Sequence, residues 1–171
     1  LLIVAKNDWT HARLSQAFQR RAVEKTYLTL VHGKLRQPAG EVALKIARHS
    51  TNRTKMSAQN VRGRTALTTY RRIREIGNFS LLEVRIHTGR THQIRVHLSA
   101  MGHSVVGDEL YGERNYAQFV RKHGKPPRQF LHAAGLKFEH PRTGKILSFS
   151  SPLPSDLEGL LSMLEDSQAD G

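Results

Sequence analysis

Two runs, Arg64 to Ile76 and Phe79 to His87, are dense in aliphatic, aromatic and β-branched residues and are separated only by Gly77-Asn78. That arrangement predicts a β-hairpin with a two-residue turn, and it constrains the fold more than any other stretch. Long half-apolar antiparallel strands need cover, so the rest of the chain must supply partner strands and helices. The second strand breaks at Thr88-Gly89. Thr91 to Met101 then carries Ile94, Leu98 and Met101 at i, i+4 and i+7 and closes on Gly102, which predicts a helix.

Other elements follow from similar signals. Leu1 to Ala5 predicts a short buried strand, and Asp8 predicts a cap for a helix from Trp9 to about Arg20 that turns Ala12, Ala17 and Phe18 inward. Lys25 to Val31 and Glu41 to Ala47 read as strands, with Gly33 to Gly40 as a hairpin connection. His49 to Arg64 reads as a loop or ragged hairpin. Val105-Val106 predicts a short strand, and Tyr116 to His123 a short helix. Leu131 to Phe138 pairs with Ile146 to Phe149 around His-Pro-Arg-Thr-Gly, and Ser155 starts a last amphipathic helix. The expected class is α+β, a mixed, mainly antiparallel sheet with flanking helices. No repeat or linker divides residues 1–171, so they read as one catalytic-type domain.

Charge narrows the partner. The chain has 27 Lys and Arg against 14 Asp and Glu, a formal +13. Eight basic residues and no acid lie between Arg48 and Arg74, whereas Ser151 to Gly171 holds five acids and no base. A basic face opposite an acidic tail suits a polyanion, nucleic acid above all. A merely well-solvated or ribosome-bound basic protein is the plainer alternative. No apolar run reaches the roughly 18 residues of a membrane span, and no helix joins a basic face to a large apolar one. Without cysteine there is no disulfide, thiol catalysis or thiolate metal site, which fits an intracellular, cytoplasmic protein.

Three stretches can carry chemistry. In HTGRTHQIRVH, His87 to His97, a strand ends, Gly89 turns the chain and a helix begins with Arg90 at the junction. Such a helix start attracts anions, and a guanidinium there can grip a carboxylate or phosphate. A capped helix with surface arginines would look the same. A metal reading of His87, His92 and His97 fails, because a spacing of five puts His92 and His97 on different helix faces. In EKTYLTLVHG, Tyr27 sits in a strand beside Lys25, as packing, as an acid or base, or as a stacking surface. In GDELYG and RQFLHAAGLKFEHPRTG, glycines and His-Pro mark turns, and His132 is either an RNA donor or a sheet histidine.

Taken in order, HTGRTHQIRVH with GHSVVGDELYG, VEKTYLTLVHG and FLHAAGLKFEHPRTG resemble the RluA-type pseudouridine synthase family, along nearly the whole chain. IARHSTNRTKMSA is similar to members that modify large-subunit ribosomal RNA. The resemblance implies an isomerase that flips uridine out of structured RNA and converts it to pseudouridine with an aspartate nucleophile and no metal or organic cofactor. It makes Arg90 the cation that orients the aspartate and Tyr27 the aromatic residue against the base. It assigns RNA contacts to Lys25, Arg48, Arg53, Lys55, His92, Gln93 and Arg95, in a monomer. The family carries its aspartate in a run like H-R-L-D-x-x-T-S-G, just before a strand resembling LLIVAKN. The chain starts after that run, and Asp8, Asp108, Asp156, Asp166 and Asp170 occupy other places. The nucleophile is therefore expected outside these residues, and the alternative is a non-catalytic RNA-binding remnant of the same fold.

Overall fold

In the computed structural model, which describes residues 1–59 and 61–169, helix α1 (Asp8–Gln19) leads into strand β1 (Glu24–His32). Strands β2 (Ala39–Val42), β3 (Lys45–Arg48), β4 (Met56–Gln59), β5 (Thr68–Ile76) and β6 (Phe79–Ile86) follow. Then come helices α2 (Gln93–Ala100) and α3 (Glu113–His123), strands β7 (Leu131–Glu139) and β8 (Ile146–Ser150), and helix α4 (Ser155–Ala169). Six strands form one sheet in the order β2-β5-β6-β1-β7-β8, and β3 pairs with β4 alone. Every pairing is antiparallel, as the expected α+β class requires.

The β5–β6 hairpin turns at Gly77-Asn78 with Ile76 opposite Phe79, and Gly77 takes φ +52 at the first turn position. Strand alternation gives the sheet two apolar faces. Leu30, Phe79 and Leu81 face Phe119 of α3 and Leu157, Leu160, Leu161 and Leu164 of α4. Val31, Leu82, Val84 and Tyr70 face Ile94 and Leu98 of α2. Farther along that second face, Phe138 packs on Leu14 of α1, with Leu136 beside them. Thus α1 and α2 lie on one side of the sheet, and α3 and α4 on the other.

Several expectations give way. Leu1 to Ala5 forms no strand; Leu2 and Val4 are 86% and 73% exposed, and only Ile3 and Ala5 pack on the Phe138 cluster. Apolar sequence makes a strand only where a neighbour offers its backbone. Asn7, not Asp8, caps α1, its side chain accepting from the Thr10 amide at 2.8 Å. Leu14 faces inward, while Ala12 and Phe18 are exposed. Gly33 to Gly40 is no hairpin connection, because β2 pairs with β5 rather than β1. Glu41 to Ala47 divides between β2 and β3, which join different sheets. The strand expected at Val105-Val106 shrinks to one bridge between Val105 and Val31. Asp170 and Asn60 lie outside the described residues.

Candidate active-site cleft

The register places Lys25, Tyr27, Thr29 and Val31 of β1 on the side that carries α1 and α2. Pairing of β1 with β6 begins at Thr26 opposite Arg85, yet β1 starts at Glu24 and β6 runs on to Ile86. Beyond that rung the two strands part and a cavity of about 390 Å³ opens, lined by Arg21, Lys25, Leu67, Arg85, Ile86 and His87 among others. The C-terminal end of α1 flanks one side, with the Lys25 ammonium 5.4 Å over the Phe18 ring. The loop from β6 to α2, bearing Arg90, flanks the other.

Tyr27 stands one rung inside, opposite Val84, and packs at the edge of the apolar cluster under α2. Burial pushes its phenol up from the ordinary tyrosine value, so it is a neutral phenol at physiological pH. Burial pushes the neighbouring Lys25 ammonium down.

Arg90 is held by a buried polar chain. Its backbone amide donates to Gln93 Oε1 at 3.0 Å, and its Nε donates to the Thr65 carbonyl at 3.1 Å. The same Gln93 oxygen accepts from Thr88 Oγ1 at 2.7 Å, while Gln93 Nε2 donates to the Leu67 carbonyl and Thr68 Oγ1, each at 3.0 Å. His97 continues the chain. Its Nε2 meets the Leu44 carbonyl at 3.0 Å, which puts the proton there and leaves Nδ1 to accept from Thr68 Oγ1, also at 3.0 Å. Burial pushes His97 down and keeps it neutral. Every polar atom in this chain is satisfied, so the loop has one geometry. Partial burial, then the charges of Arg64 and Arg21, push the Arg90 guanidinium down.

The other expected residues divide into two groups. Arg48, Arg53 and Lys55 lie on the β3–β4 hairpin, where Arg48 donates to the Arg53 carbonyl at 3.4 Å and Lys55 lies 3.8 Å from Glu113. His92, Gln93 and Arg95 are committed to the fold. Gln93 is 3% exposed with its amide saturated as above, which removes it as an RNA donor. Arg95 makes a bidentate pair with Asp108 at 2.7 and 2.8 Å, and its guanidinium lies 4.8 Å from the Tyr111 ring centroid. His92 takes a left-handed φ of +55, and its Nδ1 accepts from the Tyr111 hydroxyl at 2.9 Å. That hydroxyl in turn accepts from the Met56 amide at 2.8 Å. Of the three, Gln93 has spent both amide hydrogens inside the fold, whereas Arg95 and His92 are anchored by these bonds with Nη1 and Nε2 outside them. His132 is likewise a sheet histidine, its Nε2 donating to the Ser151 carbonyl at 3.2 Å.

Sequence reading missed Arg21 and Arg64 as neighbours of Arg90. Arg64 stood only in a run of basic residues, and Arg21 had no signal beyond its charge. No aspartate among the described residues lines this cavity: Asp8 is at the far end of α1, Asp108 is held by Arg95 and Asp156 by Arg128. Among the described residues, no cluster of three histidines and acids is placed to hold a metal, and no helix is long and apolar enough to cross a membrane.

Residues 1–100, which carry Tyr27, Arg90 and the polar chain between β5 and α2, match the RNA pseudouridylate synthase family. The chain belongs to that family. It is 40% identical to an uncharacterized RNA pseudouridine synthase of Chlorobaculum parvum, over 94% of this chain and 53% of the relative. It is 42% identical to ribosomal large subunit pseudouridine synthase D of Zymomonas mobilis, over 96% of this chain and 52% of the relative. The chain thus spans about half the length of the curated relatives it matches. Human RNA pseudouridylate synthase domain containing 1 superposes with a TM-score of 0.73 at 30% identity, covering 94% of this chain and 73% of that one. Human RNA pseudouridylate synthase domain containing 4, 22% identical with a TM-score of 0.74, shares the fold.

Proposed function

We propose that this chain forms the main body of an RNA pseudouridine synthase, which isomerises uridine to pseudouridine in structured RNA by way of an aspartate supplied from outside these 171 residues. The observation that carries the reading is Arg90, fixed by a saturated polar chain on the loop that continues from the cavity-lining His87, and met by no aspartate of the described residues. A guanidinium so placed keeps an incoming carboxylate ionised and aims it, as a nucleophile requires. The carboxylate attacks the target nucleotide as the N-glycosidic bond breaks; the freed uracil turns, C5 bonds to the ribose as the carboxylate leaves, and the C5 proton is lost to a base while N1 takes one up. The reading gives Tyr27 the role of platform: a neutral phenol in an apolar setting stacks on a flipped base. Neither a metal nor an organic cofactor is needed for these steps.

The name of the Zymomonas relative and the basic β3–β4 hairpin favour large-subunit ribosomal RNA as substrate. The protein then works as a cytoplasmic monomer. The deciding experiment incubates large-subunit ribosomal RNA with the 171-residue chain and with a version extended by the family's aspartate run ahead of Leu1. Pseudouridine is expected from the extended protein alone. Product from the 171-residue chain would overturn the assignment of the nucleophile. RNA binding without product in either would leave an RNA-binding module.

A further inference from the structure

Arg21 lies two residues past the end of α1, in the turn toward β1, and it adopts φ +60, a left-handed conformation that L-residues rarely take outside glycine and asparagine. The turn itself explains the angle: the Arg21 amide donates to the Phe18 carbonyl at 3.2 Å and the Ala22 amide to that of Ala17 at 2.9 Å, a helix stop that usually employs glycine. It does not explain the arginine. Backbone strain retained under a charged side chain points from geometry to function.

The Arg21 side chain lines the 390 Å³ cavity with Lys25. Arg90 closes the group, its Nε on the carbonyl of Thr65 and therefore next to Arg64. Six arginines, Arg71, Arg72, Arg74, Arg85, Arg95 and Arg128, each meet a carboxylate. Among the described residues, Arg21 and Arg64 meet none. Arg90 feels both as repelling neighbours. Glu24 also lines the cavity, but Lys137 already meets it at 3.0 Å, so the like charges at the mouth are left for a ligand that brings its own counter-charge.

We propose that Arg21 and Arg64 form a phosphate clamp beside Arg90, gripping the phosphodiester of the nucleotide that enters the cleft. This rests on the functional reading above, in which Arg90 serves the carboxylate and the other two guanidiniums are left for the substrate backbone. A phosphodiester offers two non-bridging oxygens on one charge, and a pair of guanidiniums can meet both. Such a contact positions the nucleotide without reading its base.

The test uses the 171-residue chain and a stem-loop RNA with a single loop uridine, with and without a neutral methylphosphonate on either side of that uridine. Arg21→Gly suits the left-handed backbone, so it should raise the melting temperature while weakening binding of the unmodified RNA about tenfold. It should also lower the salt slope by about one, the loss expected for one phosphate contact. Methylphosphonate should weaken the native protein by a similar factor and Arg21→Gly hardly at all. Arg64→Gln should behave as Arg21→Gly does toward the RNA, and Arg21→Lys should recover part of the affinity. Inorganic phosphate at millimolar concentration should compete weakly, because the RNA is the source of the phosphate. Unchanged affinity and slope in Arg21→Gly, with the native protein binding normally, would sink the clamp and leave the functional reading standing. Failure of the native chain to bind the RNA would bring down both.

Discussion

Gln93 decides the position of Arg90. Its amide accepts from Thr88 and the Arg90 backbone and donates to Leu67 and Thr68, all inside the protein. Gln93→Leu keeps the volume and orphans four polar partners, so we expect a loss of about 2–4 kcal/mol in urea unfolding. In the extended protein activity should fall further than stability explains, since Arg90 loses its anchor. His32 provides a second residue-scale test. Its ring lies 5.4 Å from Phe79 and 6.0 Å from Phe119, and burial pushes it down to about 4. An unfolded histidine titrates near 6.5, so protons bind the unfolded chain first. The stabilisation is complete above about pH 6.5 and declines as pH falls toward 4. Replacing His32 with Phe should remove about one proton from the acid limb of melting temperature against pH. An unaltered limb would assign that limb to other histidines, such as His97.

At the scale of elements, the turn from Gly107 to Gly112 joins α2 to the β3–β4 hairpin. Asp108 is 1% exposed; it pairs with Arg95 and accepts from the Leu110 and Tyr111 amides at 3.0 Å each. Tyr111 then reaches His92 and Met56. Removing the carboxylate leaves a buried guanidinium, so Asp108→Ala should cost about 3–5 kcal/mol. Protection from hydrogen exchange should fall in α2 and β4 together, and a loss confined to residues 107–112 would refute the coupling. These connections mark the limit of sequence reading. The β5–β6 hairpin, α2 and the β7–β8 pair were legible because each is specified by local periodicity and its own turn. The division of Glu41 to Ala47 was not, since Val42, Leu44 and Ile46 alternate identically whichever sheet they join. Motif position found Arg90, but Gln93 and Arg95 looked like surface donors because a sequence does not display their acceptors, Leu67, Thr68 and Asp108, 13 to 26 residues away.

Across the whole molecule, the uneven charge seen in the sequence is partly cancelled by folding. Of the eight basic residues between Arg48 and Arg74, Arg71 pairs with Glu83, Arg72 with Glu75, Arg74 with Glu165 of α4 and Lys55 with Glu113. The acidic C-terminal helix therefore neutralises part of the basic run, and Asp156 does the same for Arg128. Within that run, Arg48, Arg53, Arg62 and Arg64 meet no carboxylate among the described residues, and Arg48 and Arg53 sit on the β3–β4 hairpin. Counterion release reports only the cations that meet phosphate. The salt dependence of RNA binding should thus follow position rather than total charge. Arg48→Gln combined with Arg53→Gln should reduce the slope of log affinity against log salt by about 1.5–2. Arg71→Gln combined with Arg74→Gln removes equal charge, yet should leave the slope unchanged, because those side chains already face carboxylates. Equal losses from the two pairs would mean that RNA senses net charge alone and that no particular surface docks it.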